Sequence, residues 1–396
     1  MKNMKPVLSL VLALTFLLSC MTPISAVTTT EGNDSARSSE WLDMDLPENF
    51  AYSFAVIGDT QTLSDAHPEE FAGIYDFILD NLETHKIKFV MGLGDITDDY
   101  QNAKDEWKLA RTHITRMNGK VRYSIVRGNH DDRTLFTQYF PRSEYEGIIG
   151  GSMASNMGNT WQTIQIGEVK YLILALDISM SQKVLDWASD IVASHRDHNV
   201  IITTHAYLNS KGDPLPEDNS LSPTRYASDI SSPQFWETFV SQHENIVMVL
   251  CGHISCDRIV RNQREGKHGN IVTQMLIDPQ TTDKTQGPCG LVAMLYFSED
   301  GKQVDVRYYS TARGQYFRTD NQFSLTLHTV DPNTPSGADT PDVPNTPDTP
   351  ETDPNPTPTP ERDFPVVVVI VSAAAVVVVG GGVAALLIAR KKRKVR

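Results

Sequence analysis

An α/β fold is the architecture this 396-residue chain predicts. From about Phe50 to Leu327, strand-like apolar runs alternate with amphipathic stretches, as in chains built of strand–helix units. Five of the runs are continuously apolar, the mark of strands covered on both faces. Each of the five then stops at a residue type that binds metal ions. Phe54 to Ile57 ends at Asp59, Phe89 to Leu93 at Asp95, Tyr123 to Val126 at Asn129 and His130, Val200 to Thr204 at His205, and Ile246 to Leu250 at His253. Sheets of this class bind ligands just beyond the carboxyl ends of their strands, so the five stops outline one candidate site.

Taken from the N-terminus, residues 1–26 predict a secretory signal. Lys2 and Lys5 precede the apolar run Val7 to Leu18, and Ile24-Ser25-Ala26 offers a small-residue cleavage point. Leu17-Leu18-Ser19-Cys20 offers an alternative lipoprotein reading. Residues 27–47, small, polar and acidic, predict a flexible leader. Within the main domain, 48–328, helices are expected over Glu69 to Asn81, Lys104 to Met117 and Ser181 to His195. Trp161 to Leu176, broken at Gly167-Glu168, and Leu291 to Tyr309, broken at Glu299-Asp300-Gly301, predict β-hairpins. Those hairpins suggest a second, more antiparallel sheet beside the first.

Residues 329–365 change character, with 11 of the 22 prolines falling between Asp331 and Pro365 among Thr, Asp and Asn. Such a segment buries no core and favours extended polyproline conformations, so it predicts a semi-rigid stalk. Val366 to Ala389 is 24 residues without a charge, enough at about 1.5 Å per residue to cross a hydrocarbon core of about 30 Å as a helix. The basic tail 390–396 follows at once and belongs on the cytoplasmic side. A single-pass membrane protein with its main domain outside the cell, on a bacterial surface, is the expected topology.

Setting aside Lys2, Lys5 and six basic residues of the tail leaves 27 basic against 49 acidic residues, a charge of about −22. Nucleic-acid binding needs a basic footprint, so no nucleic-acid partner is expected. Cys251, Cys256 and Cys289 are the thiols beyond the signal. The odd number allows at most one bridge within the chain, with Cys256 and Cys289 the pairing expected. No feature calls for a second copy, so a monomer is expected.

Singly, an Asp after a strand is usually a turn or cap, and a lone His is usually a hydrogen-bonded core group. The order of the local strings is more specific. Gly58-Asp59-Thr60-Gln61, Gly94-Asp95-Ile96-Thr97-Asp98, Gly128-Asn129-His130-Asp131, Thr204-His205 and Gly252-His253-Ile254-Ser255 follow one another over about 200 residues. This succession resembles the calcineurin-like metallophosphoesterase family, whose pattern is DxH, GDxxD, GNH[DE], H and GHxH. Gln274-Met275-Leu276-Ile277-Asp278-Pro279-Gln280 is similar to a QxLxDxQ stretch of secreted members whose first motif reads DTQ.

The resemblance implies a four-layer α-β-β-α sandwich and a phosphoric ester hydrolase with two divalent metal ions: Mn, Mg, Fe, Zn or Ca. It assigns Asp95 as the bridging ligand, Asp59 and Gln61 to the first ion, and Asn129, His205 and His253 to the second. His130 is then not a ligand but the group facing the leaving group or the transferring phosphoryl, oriented by Asp98, which suits proton donation to a departing alkoxide. Asp131 is expected to be a structural cap. Gln61 and Ser255 stand where the family usually has His, which makes the first site harder and weaker and favours Mg²⁺, Mn²⁺ or Ca²⁺ over Zn²⁺. His268, in a glycine-flanked loop, is a candidate replacement ligand but reads as a surface residue. Arg127 and Arg133 flank the GNHD string and are candidate phosphate contacts, since guanidinium matches that geometry. Trp107, Trp187 and Trp236 read as packing. Asp132 to Thr160 and Asn209 to Ser232 predict long lids, and the substrate class is a phosphorylated small molecule or a cell-envelope phosphate ester.

Overall fold

The structure, a computed structural model, describes residues 40–331 and 334, apart from 101–102, 154–156 and 227. The expected signal, residues 27–39 of the leader, nearly all of the stalk, the 366–389 span and the basic tail lie outside the described residues. No helix among the described residues is long and apolar enough to cross a membrane.

The described residues form two mixed sheets. The first is eight-stranded, in the order β1 (Trp41–Leu42), β14 (Gln315–Phe317), β13 (Gln303–Ser310), β12 (Leu291–Phe297), β2 (Tyr52–Ile57), β3 (Ile87–Gly92) and β4 (Arg122–Ser124), with β15 (Phe323–Thr326) also on β13. The second is seven-stranded, in the order β10 (Val260–Glu265), β11 (Ile271–Leu276), β9 (Ile246–Gly252), β8 (Asn199–Ala206), β7 (Val169–Ala175), β6 (Thr160–Ile166) and β5 (Gly151–Ser152). Around them lie α1 (Gln61–Ala66), α2 (Pro68–Asp80), α3 (Lys104–Ile114), α4 (Arg133–Tyr139), α5 (Gln182–Ser194), α6 (Ser232–Thr238) and α7 (Gln280–Gln286).

Side-chain alternation explains the layering. In β2, Phe54 and Val56 join a core shared with Ile173, Ile201, Met248 and Met275 of the second sheet, so the two sheets lie face to face. Ala55 and Ile57 of the same strand point the other way, into a core with Phe71, Ile74 and Trp107 of α2 and α3. On the far side of the second sheet, Leu172, Ile202 and Val249 pack with Val184 and Ala188 of α5 and Phe235 of α6. Helix, sheet, sheet and helix therefore follow in the expected order. A buried hydrogen bond of 2.7 Å between the Tyr52 and Tyr171 hydroxyls links the facing sheets.

The hairpins appear where expected, but they do not make a sheet of their own. The β6–β7 hairpin extends the parallel strands β8 and β9, and the β12–β13 hairpin extends β2. Burial gives the reason: Tyr171 to Ala175 and all of β12 are covered on both faces, so each needs a central place in a two-sided sheet. The leader also starts to fold earlier than its polarity suggests. Trp41 and Leu42 pair with Phe317 and Tyr316, and the Trp41 ring lies 4.8 Å from that of Phe317. Asp132 to Thr160 is likewise more than a lid. Asp132 caps α4 by accepting from the Leu135 amide, and Phe136, Phe140 and Tyr145 are buried in the core behind it. Cys251, Cys256 and Cys289 are all free thiols, so the expected Cys256–Cys289 bridge is absent. Cys289 is held by burial and by a bond to the Gly287 carbonyl.

Candidate metal centre

Two sets of parallel strands bring their carboxyl ends to one place. β2, β3 and β4 run parallel in the first sheet, and β8, β9 and β11 in the second. The first set is followed by Asp59, Asp95, Asn129 and His130. The second ends at His205, His253 and Asp278. Contacts between the sets are direct: the His253 amide donates to both oxygens of Asp59, at 3.2 and 3.0 Å, and His205 Nε2 lies 3.3 Å from Asp95 Oδ2. Among the described residues, Asp95, His205 and His253 offer ligand atoms all within 4.8 Å of one another.

The backbone is shaped to allow this convergence. Asp95 and His253 have φ of 47° and 77°, a region that non-glycine residues enter at a cost and mostly at functional sites. The glycines before Asn129 and His253 make room. A Cβ on Gly128 would stand 2.1 Å from Asp95 Oδ1, and one on Gly252 would stand 2.0 Å from Asp59 Oδ1.

Hydrogen bonding fixes which atoms face inward. His205 is fully buried and its Nδ1–H donates to the Leu93 carbonyl at 2.9 Å, which leaves the Nε2 lone pair facing Asn129 Oδ1 at 3.1 Å and Asp95 Oδ2. Three acceptor atoms thus meet, and only a proton or a cation reconciles them. His253 donates Nε2–H to the Leu221 carbonyl at 2.9 Å, leaving Nδ1 as its ligand atom. Gln61 donates Nε2–H to Asp95 Oδ2 at 3.2 Å, and its Oε1 is buried with no partner. An orphaned amide oxygen beside carboxylates suits a hard cation.

The charges point the same way. Asp59, Asp95, Asp131 and Asp278 are all buried within this small region. Burial, then the neighbouring Asp278 and Asp95, push the Asp59 carboxyl well above the usual carboxylate range. Burial likewise lifts Asp278 and Asp131 to about 6. Burial also opposes the charge on Asp95, but the adjacent His205 and then His130 outweigh it and hold its pKa down. Burial and the neighbouring His205 lower His253 to about 4, so its imidazole is a neutral ligand near pH 7. A buried, net negative group of oxygen and imidazole donors fits divalent cations.

The other expected site residues fall on different sides. His130 donates its amide to Asp95 Oδ1 at 2.9 Å. Its ring Nδ1 bonds the Asp98 carbonyl at 2.8 Å, and the Asp98 carboxylate stands farther off at 3.6 Å. Asp98 therefore orients the imidazole mainly through its backbone. Asp131 accepts from the amides of Ile96, Thr97 and Gly128 at 2.9, 3.0 and 2.9 Å, a bracket joining two ligand loops. Arg127 does not offer its guanidinium to a substrate. It is buried and bidentate on Asp177, at 3.1 and 2.8 Å, and also bonds Ser179. Arg133 is an exposed residue opening α4. Ser255 is taken up as well: its hydroxyl donates to Thr281 Oγ1 at 2.6 Å and accepts from the Thr281 amide. His268 is exposed at the β10–β11 turn, bonded to the Gln242 carbonyl at the opposite end of β11 from Asp278.

Asp278 is the group that the five-stop pattern passes over. Its run, Ile271 to Ile277, contains Thr273 and Gln274, yet it too is a buried parallel strand ending in an acid. Of the two expected lids, Asn209 to Ser232 reaches the site, through the Leu221 carbonyl and through Tyr226, whose ring meets that of His253 edge-on at 5.2 Å.

Residues 52–257, over half of the 396, match the calcineurin-like phosphoesterase family. The chain belongs to that family. It is also 26% identical over 302 residues to the uncharacterized protein YvnB of Bacillus subtilis (strain 168), an alignment covering 71% of this chain and 22% of that protein. The chain thus spans under a quarter of this curated relative's length. Among solved structures it is similar to a dimetal phosphatase from Danio rerio, with 12% identity, a TM-score of 0.44, and 70% and 99% of the respective chains covered. A purple acid phosphatase from seeds of yellow lupin, Lupinus luteus, is similar at 13% identity and a TM-score of 0.45, over 69% of this chain and 53% of that one. Family membership gives the convergent carboxylates and imidazoles a reason to be buried together.

Proposed function

We propose that the protein is a metal-dependent phosphoesterase that hydrolyses phosphate mono- or diesters on the outer face of a cell membrane. One observation carries the reading: among the described residues, no Lys or Arg side chain is bonded to the buried cluster's carboxylates, since the nearby Arg127 is committed to Asp177. Asp59, Gln61 and Asp95 would hold one ion; Asp95, Asn129, His205 and His253 would hold the other. Bound there, two divalent cations would supply a water of lowered pKa and neutralise charge on the phosphoryl group.

The remaining work falls to side chains. The Asp98 carbonyl holds Nδ1 of His130, so Nε2 is the atom that passes a proton to the departing oxygen. The Leu93 carbonyl fixes His205 and the Leu221 carbonyl fixes His253, each in one tautomer. The 209–232 loop limits access from the His253 side and sets which esters enter. The acidic exterior excludes long polyanions such as nucleic acid. The apolar 366–389 stretch, the proline-rich stalk and the signal-like N-terminus support a surface enzyme that acts, as a monomer, on phosphorylated small molecules or cell-envelope esters.

A test is direct. The full-length protein, stripped with chelator, is assayed on p-nitrophenyl phosphate and bis-p-nitrophenyl phosphate with Mn²⁺, Mg²⁺, Ca²⁺ or Zn²⁺ restored in turn. Activity should return with the metal and vanish in Asp95→Asn. Turnover that survives both chelation and Asp95→Asn rejects the reading. Ser255, taken up by Thr281, favours one rival, a member that binds ions without turnover; that rival predicts ion binding with no release of nitrophenol.

A further inference from the structure

We propose that Asp278, rather than Ser255, completes the first metal site, giving a set of oxygen donors from Asp59, Gln61, Asp95 and Asp278 that takes a hard divalent cation. This inference rests on the phosphoesterase reading and assigns a ligand that the five motifs do not contain.

Position is the first argument. Asp278 follows β11, which runs parallel to β9, so it emerges at the same sheet end as His253. It is 2% exposed, and it lies near enough to the buried Asp59 for the charge of one to act on the other. Gly58 enables this approach. A Cβ there would lie 2.5 Å from the Ile277 carbonyl oxygen and 2.8 Å from Pro279 Cδ, so a side chain at position 58 would push the 277–279 segment away from Asp59.

The second argument is a donor without a partner. Gln61 is 2% exposed, is pinned to Asp95 through its Nε2, and carries an unpaired buried Oε1 on the same amide. Buried amide oxygens are almost always satisfied. A cation shared with Asp59, Asp95 and Asp278 satisfies this one.

Ser255 has a different occupation. Its hydroxyl is used as donor and as acceptor by Thr281, and the next residue, Cys256, donates its amide to the Asp278 carbonyl at 3.1 Å. Ser255 and Cys256 therefore fasten the turn that presents Asp278. Three carboxylates and an amide, with no imidazole, select Mg²⁺, Mn²⁺ or Ca²⁺ against Zn²⁺.

Isothermal titration of the chelator-stripped full chain with Mn²⁺ tests the assignment, with circular dichroism reporting the fold. The wild type should take two ions. Asp278→Asn should lose one, or bind it at least ~10-fold more weakly, while Ser255→Ala, which loosens the turn but removes no ligand, still takes two ions. Asp278→Ser repeats the first measurement with a side chain that still accepts the Gln280 amide. If both Asp278 variants keep two ions at wild-type affinity while Asp95→Asn does not, the inference fails and the phosphoesterase reading stands. A wild type that binds no ion overturns both.

Discussion

Asp95 accepts from the His130 amide and the Gln61 side chain and lies against the His205 imidazole, at 2.9, 3.2 and 3.3 Å. His130 stands beside it with a separate task. His130→Ala is expected to lower kcat by about 10²–10⁴-fold while Mn²⁺ stoichiometry stays unchanged. The loss should be smaller for aryl phosphates, whose leaving groups need less protonation, than for alkyl phosphates; equal losses for both would remove His130 from the proton-donor role. Arg127 makes the opposite prediction. Its ion pair with Asp177 has side chains only 6% and 8% exposed, so Arg127→Met, which strands a buried carboxylate, should cost about 3–5 kcal/mol in urea denaturation. Mn²⁺ affinity should not move. An Arg127→Met protein of full stability but raised KM would make Arg127 a substrate contact after all.

At the scale of elements, each ligand is delivered by a strand end and a glycine that lets backbones touch. Gly128→Ala places a methyl 2.1 Å from Asp95 Oδ1, so the carboxylate must shift. Mn²⁺ affinity and activity should each fall at least ~10-fold, with a stability loss of about 1–3 kcal/mol. Wild-type metal affinity in that variant would show that the close approach is unimportant. Much of this architecture was legible before any coordinates. Continuous runs such as Phe54 to Ile57 have no alternation because both faces meet apolar layers, and helices expected over Lys104 to Met117 and Ser181 to His195 keep their 3.6-residue stripe in α3 and α5. What escaped has physical causes. Trp41 and Leu42 sit in a polar stretch too short to carry a period, and tertiary pairing with β14 makes them a strand. The β11 run is interrupted by Thr273 and Gln274, so the five-stop pattern passed over the acid at its end, Asp278, which stood out only within the QxLxDxQ-like stretch and without a role. Ser255 and Arg127 lie in the right strings, but side-chain orientation depends on distant partners, Thr281 and Asp177, that local sequence does not specify.

Over the whole molecule, the buried acids tie stability to pH and to metal. In unfolded chain Asp131 and Asp278 release their protons near the ordinary carboxylate value of 3.8, whereas burial in the fold holds them until about 6. Between those values these two groups hold more protons in the folded state than in the unfolded one, so their contribution to metal-free stability falls as pH rises. Asp59, shifted the same way, adds to the fall. The His205 charge favoured by Asp95 stabilises the metal-free fold at low pH and is lost as pH rises through the raised pKa of His205. His253, whose pKa burial and then His205 lower to about 4 in the fold, works the other way below its ordinary 6.5, so the acids are read by difference: by calorimetry in EDTA, Asp278→Asn should gain stability relative to the wild type between pH 5 and pH 7, by on the order of 1 kcal/mol. Mn²⁺, which competes with those protons, should raise Tm more at pH 7 than at pH 5; an Asp278→Asn stability that stays level or falls relative to the wild type over that range would contradict this electrostatic account. The most direct measurement is anomalous diffraction from crystals of the protein grown with Mn²⁺. The account predicts two manganese peaks flanking the Asp95 carboxylate, one against Asp59 and Gln61 and the other against Asn129, His205 and His253. Manganese absent from that cluster, or bound only elsewhere on the surface, would contradict it.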